Sequence, residues 1–341
     1  MKRWLSLVFG LLVIGILVYV LKDIDLYELY LIFTYLNPFW LSLAFIAMFL
    51  TFVIWALKLI YIFRPYIKGN FWFFLQAIFA GAFFATLTPD PGFSAEPVKA
   101  YFISEKYKKP KTKVFSYVLA EAFFRILALI LLTFIAVFLV FVYLDISETL
   151  RIIFYAILVS ITLGSAIAFY LIMKKSHFKI GVLFKRLHIF RFIKKRFKTA
   201  DDFEKFINHH VRSFVNTFRK IVKDKKKAFI GISLSIVFWV LNFLVAYFLF
   251  LSFGREVNIF SIAVVFVMGS LVGSFSPVPG GIGITEGSMT LLYSALGVPF
   301  AFALVISFLQ RIVYYLFSLV VGGICFINLK RSNNGGKFSL F

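Results

Sequence analysis

Long apolar runs separated by short polar ones dominate this chain. A helix needs about 20 consecutive apolar residues to cross a bilayer. Six stretches meet that demand, at residues 4–21, 39–63, 116–144, 152–173, 229–253 and 299–327. Two more, at 71–88 and 259–276, run straight into proline and glycine. Proline removes an amide donor and glycine permits turns that other residues resist, so neither stretch reads as one uninterrupted crossing.

Lysine and arginine in short loops set the orientation. Lys2 and Arg3 place the N-terminus in the cytoplasm, and Asp23, Asp25 and Glu28 place the next loop outside. Arg64 and Lys68 lie inside again, as do the six lysines Lys99, Lys106, Lys108, Lys109, Lys111 and Lys113. With cations on both flanks, the first broken stretch must enter the bilayer and return to the same side. Asp145 and Glu148 then lie outside, residues 174–227 inside, and the tail with Lys330, Arg331 and Lys337 inside. The second broken stretch must therefore start and finish outside. The expected fold is an all-α polytopic membrane protein with six spanning helices and two oppositely oriented re-entrant hairpins. It forms one integral domain over residues 1–341, with an inverted repeat of units 1–144 and 152–327 and a short cytoplasmic tail at 328–341.

Composition agrees with a lipid solvent. Hydrophobic residues make up 62% of the 341 and charged residues 15%, against about a quarter in soluble domains. The formal net charge of +22 is concentrated in residues 174–227, where 18 lysines and arginines face four acids, Asp201, Asp202, Glu204 and Asp224. Anionic lipid fits such a run between apolar segments better than nucleic acid does. Within it, Phe203, Phe206, Ile207, Val211, Phe214, Phe218, Ile221 and Val222 recur at steps of three and four. They predict an amphipathic helix on the inner leaflet, its apolar face mainly among acyl chains, a reading compatible with packing on the helix bundle. Cys325 reads as an apolar filler. His177, His188, His209 and His210 lack metal-ligand spacing, and no metal or cofactor is expected. Residues 1–21 lack a convincing cleavage site and read as the first spanning helix, not a signal peptide.

The two breaks match. Residues 85–92 read ATLTPDPG and residues 273–280 read GSFSPVPG. Each break leads to an acid, Glu96 or Glu286, and then to an arginine in the following helix, Arg125 or Arg311. Broken segments at corresponding places in two halves point to a transport site near the midplane. Pro89, Asp90, Pro91 and Gly92 form the first tip. Pro277, Pro279, Gly280, Gly281 and Gly283 form the second, where freed amides are expected to face an anion. Asp90 corresponds to the neutral Val278, so its role is the less general of the two. A charge at the bilayer centre costs about 2.5–3.5 kcal/mol on insertion scales, so each arginine needs a partner. Glu121, four residues before Arg125 on one helix face, is the expected partner there, and Glu286 the expected partner of Arg311.

The string Pro277-Val278-Pro279-Gly280-Gly281-Ile282-Gly283-Ile284-Thr285-Glu286, with Arg311 downstream, resembles the transmembrane domain of lysylphosphatidylglycerol synthase/flippases. The first unit, with Glu96, Glu121 and Arg125, is similar to it as well. The resemblance implies lipid translocation between leaflets by a stand-alone flippase domain in the cell membrane. Only 14 residues follow Ile327, so the soluble aminoacyl-transfer domain of the synthases is not expected. Function is expected to be that of a flippase for an anionic or polar-headed phospholipid, without catalysis. The alternatives are an intramembrane enzyme acting on lipid-linked phosphate or sugar, or an accessory subunit of a lipid-modifying enzyme.

Overall fold

The structure, a computed structural model, describes residues 36–88, 94–143, 200–274, 276 and 278–332, with isolated positions at 34, 148, 152, 156, 159, 163 and 164. The expected span at 4–21, most of that at 152–173, the tip residues Pro89, Asp90, Pro91 and Gly92, and Pro277 lie outside the described residues.

Among the described residues the regular elements are all helices. In chain order they are α1 (Pro38–Phe63), α2 (Phe71–Leu87), α3 (Ala95–Tyr107), α4 (Lys111–Tyr143), α5 (Ala200–Lys223), α6 (Lys225–Ser252), α7 (Ile259–Ser274), α8 (Ile284–Ala295), α9 (Phe300–Tyr315) and α10 (Gly322–Ser332). A π-helical turn, Leu316–Val321, joins α9 to α10. Four stretches are long and apolar enough to cross a membrane: Pro38–Phe63, Lys111–Ile135, Lys225–Ser252 and Phe300–Ser332. These coincide with four of the six spans read from the hydropathy pattern.

Local chemistry sets the helix starts. Asn37 accepts from the Phe39 amide at 3.0 Å ahead of Pro38, which lacks the amide that a first helical turn leaves unused. Asn70 accepts from the Trp72 amide at 2.9 Å, and Asp224 from the Lys227 amide at 3.2 Å. The Asn37 amide also donates to the Ser252 carbonyl at 2.6 Å, so α1 begins where α6 ends and the two run antiparallel.

The two broken stretches are helix pairs. Helices α2 and α3 pack on each other, and so do α7 and α8. At 1.5 Å per residue, the 13 residues of α3 and the 12 of α8 extend about 20 and 18 Å, well short of a hydrocarbon core of about 30 Å. The breaks meet: the Gly280 amide donates to the Thr88 carbonyl at 3.3 Å. Gly280 has φ +64°, and a Cβ there would lie 3.0 Å from the Thr86 carbonyl oxygen. Thr86 in turn donates through Oγ1 to Ser318 Oγ in the π-helical turn at 3.1 Å.

Three expectations change. Lys99, counted among the loop cations, sits in α3 with no exposed side-chain surface, and α4 starts at Lys111, inside the expected loop. The apolar face of α5, where its side chains are described, packs on protein. Phe218 and Ile221 are buried in a cluster with Ile62, Ala120 and Phe124. Ser116 Oγ, on α4, reaches the Phe214 carbonyl at 3.3 Å. The reason is supply: α4 offers Phe115, Phe123 and Phe124 on its matching face, and aromatic pairs such as Phe123–Phe218 gain contact beyond simple burial. The last span, expected as one continuous helix, is interrupted by the π-helical turn.

That interruption lets α2 come close. A Cβ on Gly322 would lie 2.5 Å from the Phe79 carbonyl oxygen, and backbone cannot step aside as a side chain can. Gly322→Ala is therefore expected to cost about 1–3 kcal/mol of stability, the usual penalty for overpacking. Thermal unfolding of the purified protein in detergent reads it as a lowered midpoint. Gly164→Ala, at a glycine with no atom of the described residues within 4 Å of the added carbon, is the matched control.

Candidate functional site

Each matched acid stands at the start of a short helix. Glu96 is in the first turn of α3, eleven residues before Tyr107, and Glu286 is in the first turn of α8, nine before Ala295. Those distances along the axis are about 16 and 14 Å, close to half the hydrocarbon thickness. Each acid meets the arginine of the following long helix: Arg125 Nη2 lies 2.9 Å from Glu96 Oε1, and Arg311 Nε lies 3.3 Å from Glu286 Oε1. The expected Glu286–Arg311 pair is present.

Arg125 is a correction. The structure gives Glu121 and Arg125 partners on other helices instead of pairing them along one face. Glu121 Oε1 is 2.6 Å from Lys58 Nζ on α1, and its Oε2 accepts from Trp55 Nε1 at 3.1 Å. Lys99 contacts Glu96 and lies 3.5 Å from Glu121 Oε2. Lys58 also donates to Ser235 Oγ on α6 at 2.9 Å. The Trp55 ring sits between cations, 4.5 Å from Lys99 Nζ and 4.4 Å from Arg125 Cζ, and the Arg125 carbonyl accepts from Trp239 Nε1 at 3.0 Å. Three helices, α1, α3 and α4, thus build one cluster of Lys58, Glu96, Lys99, Glu121 and Arg125, with Ser235 and Trp239 of α6 against it. Three cations and two carboxylates leave it at +1 among the described residues.

The second site is simpler. Among the described residues Glu286 has one ion-pair partner, Arg311, and one weak hydroxyl contact, Tyr315 OH at 3.5 Å. Its Oε2 also accepts from the Gly283 amide at 2.7 Å, capping α8. The expectation of free amides here is overturned. The Gly280 amide goes to Thr88, Gly281 to the Val278 carbonyl at 3.0 Å, Ile282 to the Pro279 carbonyl at 3.4 Å, and Gly283 to Glu286. Gly280, Gly281 and Gly283 supply positive φ (+64°, +68° and +83°), which the tight turn requires. They hold the loop and donate nothing outward.

Both arginines reach from a buried acid toward open surface. Side-chain exposure is 12% for Arg125 over 0% for Glu96, and 21% for Arg311 over 2% for Glu286. Next to Arg311, Gln310 is buried with both amide atoms lacking a hydrogen-bond partner among the described residues. Sequence reasoning missed Lys58, Lys99 and Gln310. A lysine inside the apolar run 39–63 was the available signal for Lys58, since ionisable groups within a span rarely stand without purpose.

The model of the lysylphosphatidylglycerol synthase transmembrane region matches residues 4–322. The chain belongs to that family. Relatives of similar length are UPF0104 membrane proteins of archaea. One of Pyrococcus horikoshii is 28% identical over 80% of this chain and 82% of its own. One of Methanocaldococcus jannaschii is 29% identical over 86% of each chain, and one of Methanothermobacter thermautotrophicus 25% identical over 67% of each. The family membership and the four long apolar helices make this a multi-pass membrane protein with a lipid-related role.

Charge arithmetic orders the effects of mutation in the five-residue cluster. Removing Glu121 raises its net charge from +1 to +2, whereas removing Lys58 lowers it to zero. Breaking a buried pair by deleting one partner costs about 3–5 kcal/mol when the charge left behind is uncompensated. Glu121→Gln should therefore cost about that much, and Lys58→Met clearly less, because Lys99 and Trp55 still hold the carboxylate. Denaturation midpoints of the two variants decide it. The opposite order would mean that the cluster does not carry excess positive charge.

Proposed function

We propose that the protein moves an anionic-headed phospholipid between the leaflets of the cell membrane, with both termini cytoplasmic, and that it does so without catalysis. The observation that carries the reading is the pair of arginines, each partly open over a buried acid, at matched breaks whose backbones touch. Family membership in a lipid-related membrane region supports it.

In this reading the helix pairs α2–α3 and α7–α8 are re-entrant hairpins of an inverted repeat, each entering from its own side to about mid-depth. Non-helical backbone is tolerated at that depth only where protein or a wet cavity satisfies it. The amide of Gln310, without a partner among the described residues, fits a hydrated space, since orphan polar atoms in a dry interior cost about 1–3 kcal/mol. The headgroup phosphate binds the exposed edges of Arg125 and Arg311, whose planar forks match phosphate oxygens. The acyl chains stay in lipid. The +1 excess of the first cluster favours an anion over a zwitterion. The cations of α5 and the adjoining turn, Arg212, Lys220, Lys223, Lys225 and Lys226, all exposed, gather anionic lipid at the cytoplasmic face. A lipid-modifying enzyme is the partner that would feed such a site.

Vesicles containing the purified protein are expected to equilibrate fluorescent phosphatidylglycerol across the bilayer faster than empty ones. Arg125→Ala and Arg311→Ala should each slow this about tenfold or more, the loss of one charge-assisted contact of roughly 1.5–3 kcal/mol. Arg→Lys at either position keeps the charge, guards against misfolding and should retain part of the rate. A wild-type rate equal to that of empty vesicles rejects the reading.

A further inference from the structure

The two Arg–Glu pairs look alike but differ in what remains when the arginine is taken. If a phosphate draws Arg125 away, Glu96 keeps the buried Lys99, and Glu121 keeps Lys58. Both carboxylates stay compensated. If a phosphate draws Arg311 away, Glu286 has no other cation among the described residues. Among the described residues the charged or hydroxyl side chains that contact it are Arg311 and Tyr315 on α9. The other ionisable side chains of these two helices are Tyr314 on α9 and Tyr293, two turns along α8. Helix α7, packed against α8, contains no ionisable residue, and neither does the loop 276–283. The end of α2 that touches the loop offers Thr86 and Thr88.

From this asymmetry we infer that Glu286 is a proton site, and that a proton taken up there exchanges with the phosphate group for possession of Arg311. The proposal rests on the lipid-transport reading and deepens it by naming the second substrate. In the structure the Glu286 carboxylate occupies the anion position, held by Arg311 and by the Gly283 amide. An arriving phosphate diester binds the guanidinium from its exposed side. The displaced carboxylate, 2% exposed, then takes a proton from water, because a buried charge without a partner neutralises instead of persisting. No covalent bond other than O–H forms or breaks. The guanidinium stays protonated throughout. When the phosphate leaves, the proton leaves Glu286 and the ion pair re-forms. One anion thus enters with one proton, and the pair loads as a neutral unit.

Linkage makes this measurable, since proton uptake on binding and the pH dependence of affinity are the same quantity. Full-length protein in neutral detergent is titrated with dioctanoyl phosphatidylglycerol, whose diester does not itself titrate near neutrality. In weakly buffered solution with a pH dye, the wild type should take up about one proton per lipid bound. Its Kd should rise with pH wherever uptake is seen, by up to tenfold per pH unit. Glu286→Gln keeps the α8 cap, because a glutamine side chain accepts from the Gly283 amide as well as glutamate does. It should bind with no proton uptake and with a Kd independent of pH. Binding by the wild type without uptake, or unchanged uptake in Glu286→Gln, overturns the exchange while the lipid reading stands. Absence of binding by the wild type overturns both.

Discussion

Hydrocarbon offers no hydrogen bonds and no counter-charges, and that single constraint explains where this protein places every unusual group. A broken helix exposes amides and carbonyls, and an ionised side chain exposes charge. Each is tolerated at membrane depth only when another part of the protein meets it. The loop after α7 turns its amides inward, onto Thr88, Val278, Pro279 and Glu286. The buried lysines find Glu96 and Glu121. The fold is therefore organised from the breaks outward. The long apolar helices, α1 and α6 foremost, form the wall around a polar interior that they could not tolerate on their lipid-facing side.

The two halves solve the same problem with different charge. The first places three cations against two carboxylates across three helices, so either carboxylate can lose one cation and keep another. The second places one against one, so its pair opens only if something replaces the lost partner. A redundant cluster suits a permanent attractive field, whereas an isolated pair suits an element with two states. The matched pairs Glu96–Arg125 and Glu286–Arg311 thus carry two different electrostatic characters, set by Lys58 and Lys99.

Much of this was legible in the amino-acid order, and the losses have physical causes. Four described spans, both breaks and the Glu286–Arg311 pair follow from hydropathy, proline–glycine punctuation and the need to partner a buried charge. The Glu121–Arg125 pair was misread because spacing of four along one helix describes only that helix. A neighbouring lysine from α1 approaches more closely, and one-dimensional spacing does not reveal it. Lys99 was counted with the loop cations because α3 continues the chain after a break, and its helical depth is invisible in a run of lysines. The apolar face of α5 was assigned to lipid because its periodicity says that a face is buried, not what buries it. Phe115 and Phe123 on α4 settle that only in three dimensions.

The same contacts that join the breaks also bound how far the halves can move. Gly280 of the second break rests on Thr88 of the first, and Thr86 is tied to Ser318 in the π-helical turn of the last helix. Each is one hydrogen bond, worth about 0.5–1.5 kcal/mol net. By contrast, the interlocked packing of α1 on α6, with Trp55 against Phe238 and Trp40 against Phe248, extends over many side chains and behaves as a unit. Movement of the two helix pairs under the proposed transport would shear the weak tip contacts first and leave the α1–α6 wall intact. A headgroup that binds both arginines supplies contacts of about 1.5–3 kcal/mol each, against which stand the tip bonds that break and the carboxylates that it displaces. Opening and loading are then close to balanced in free energy, which is the condition under which a site can both accept and release its cargo.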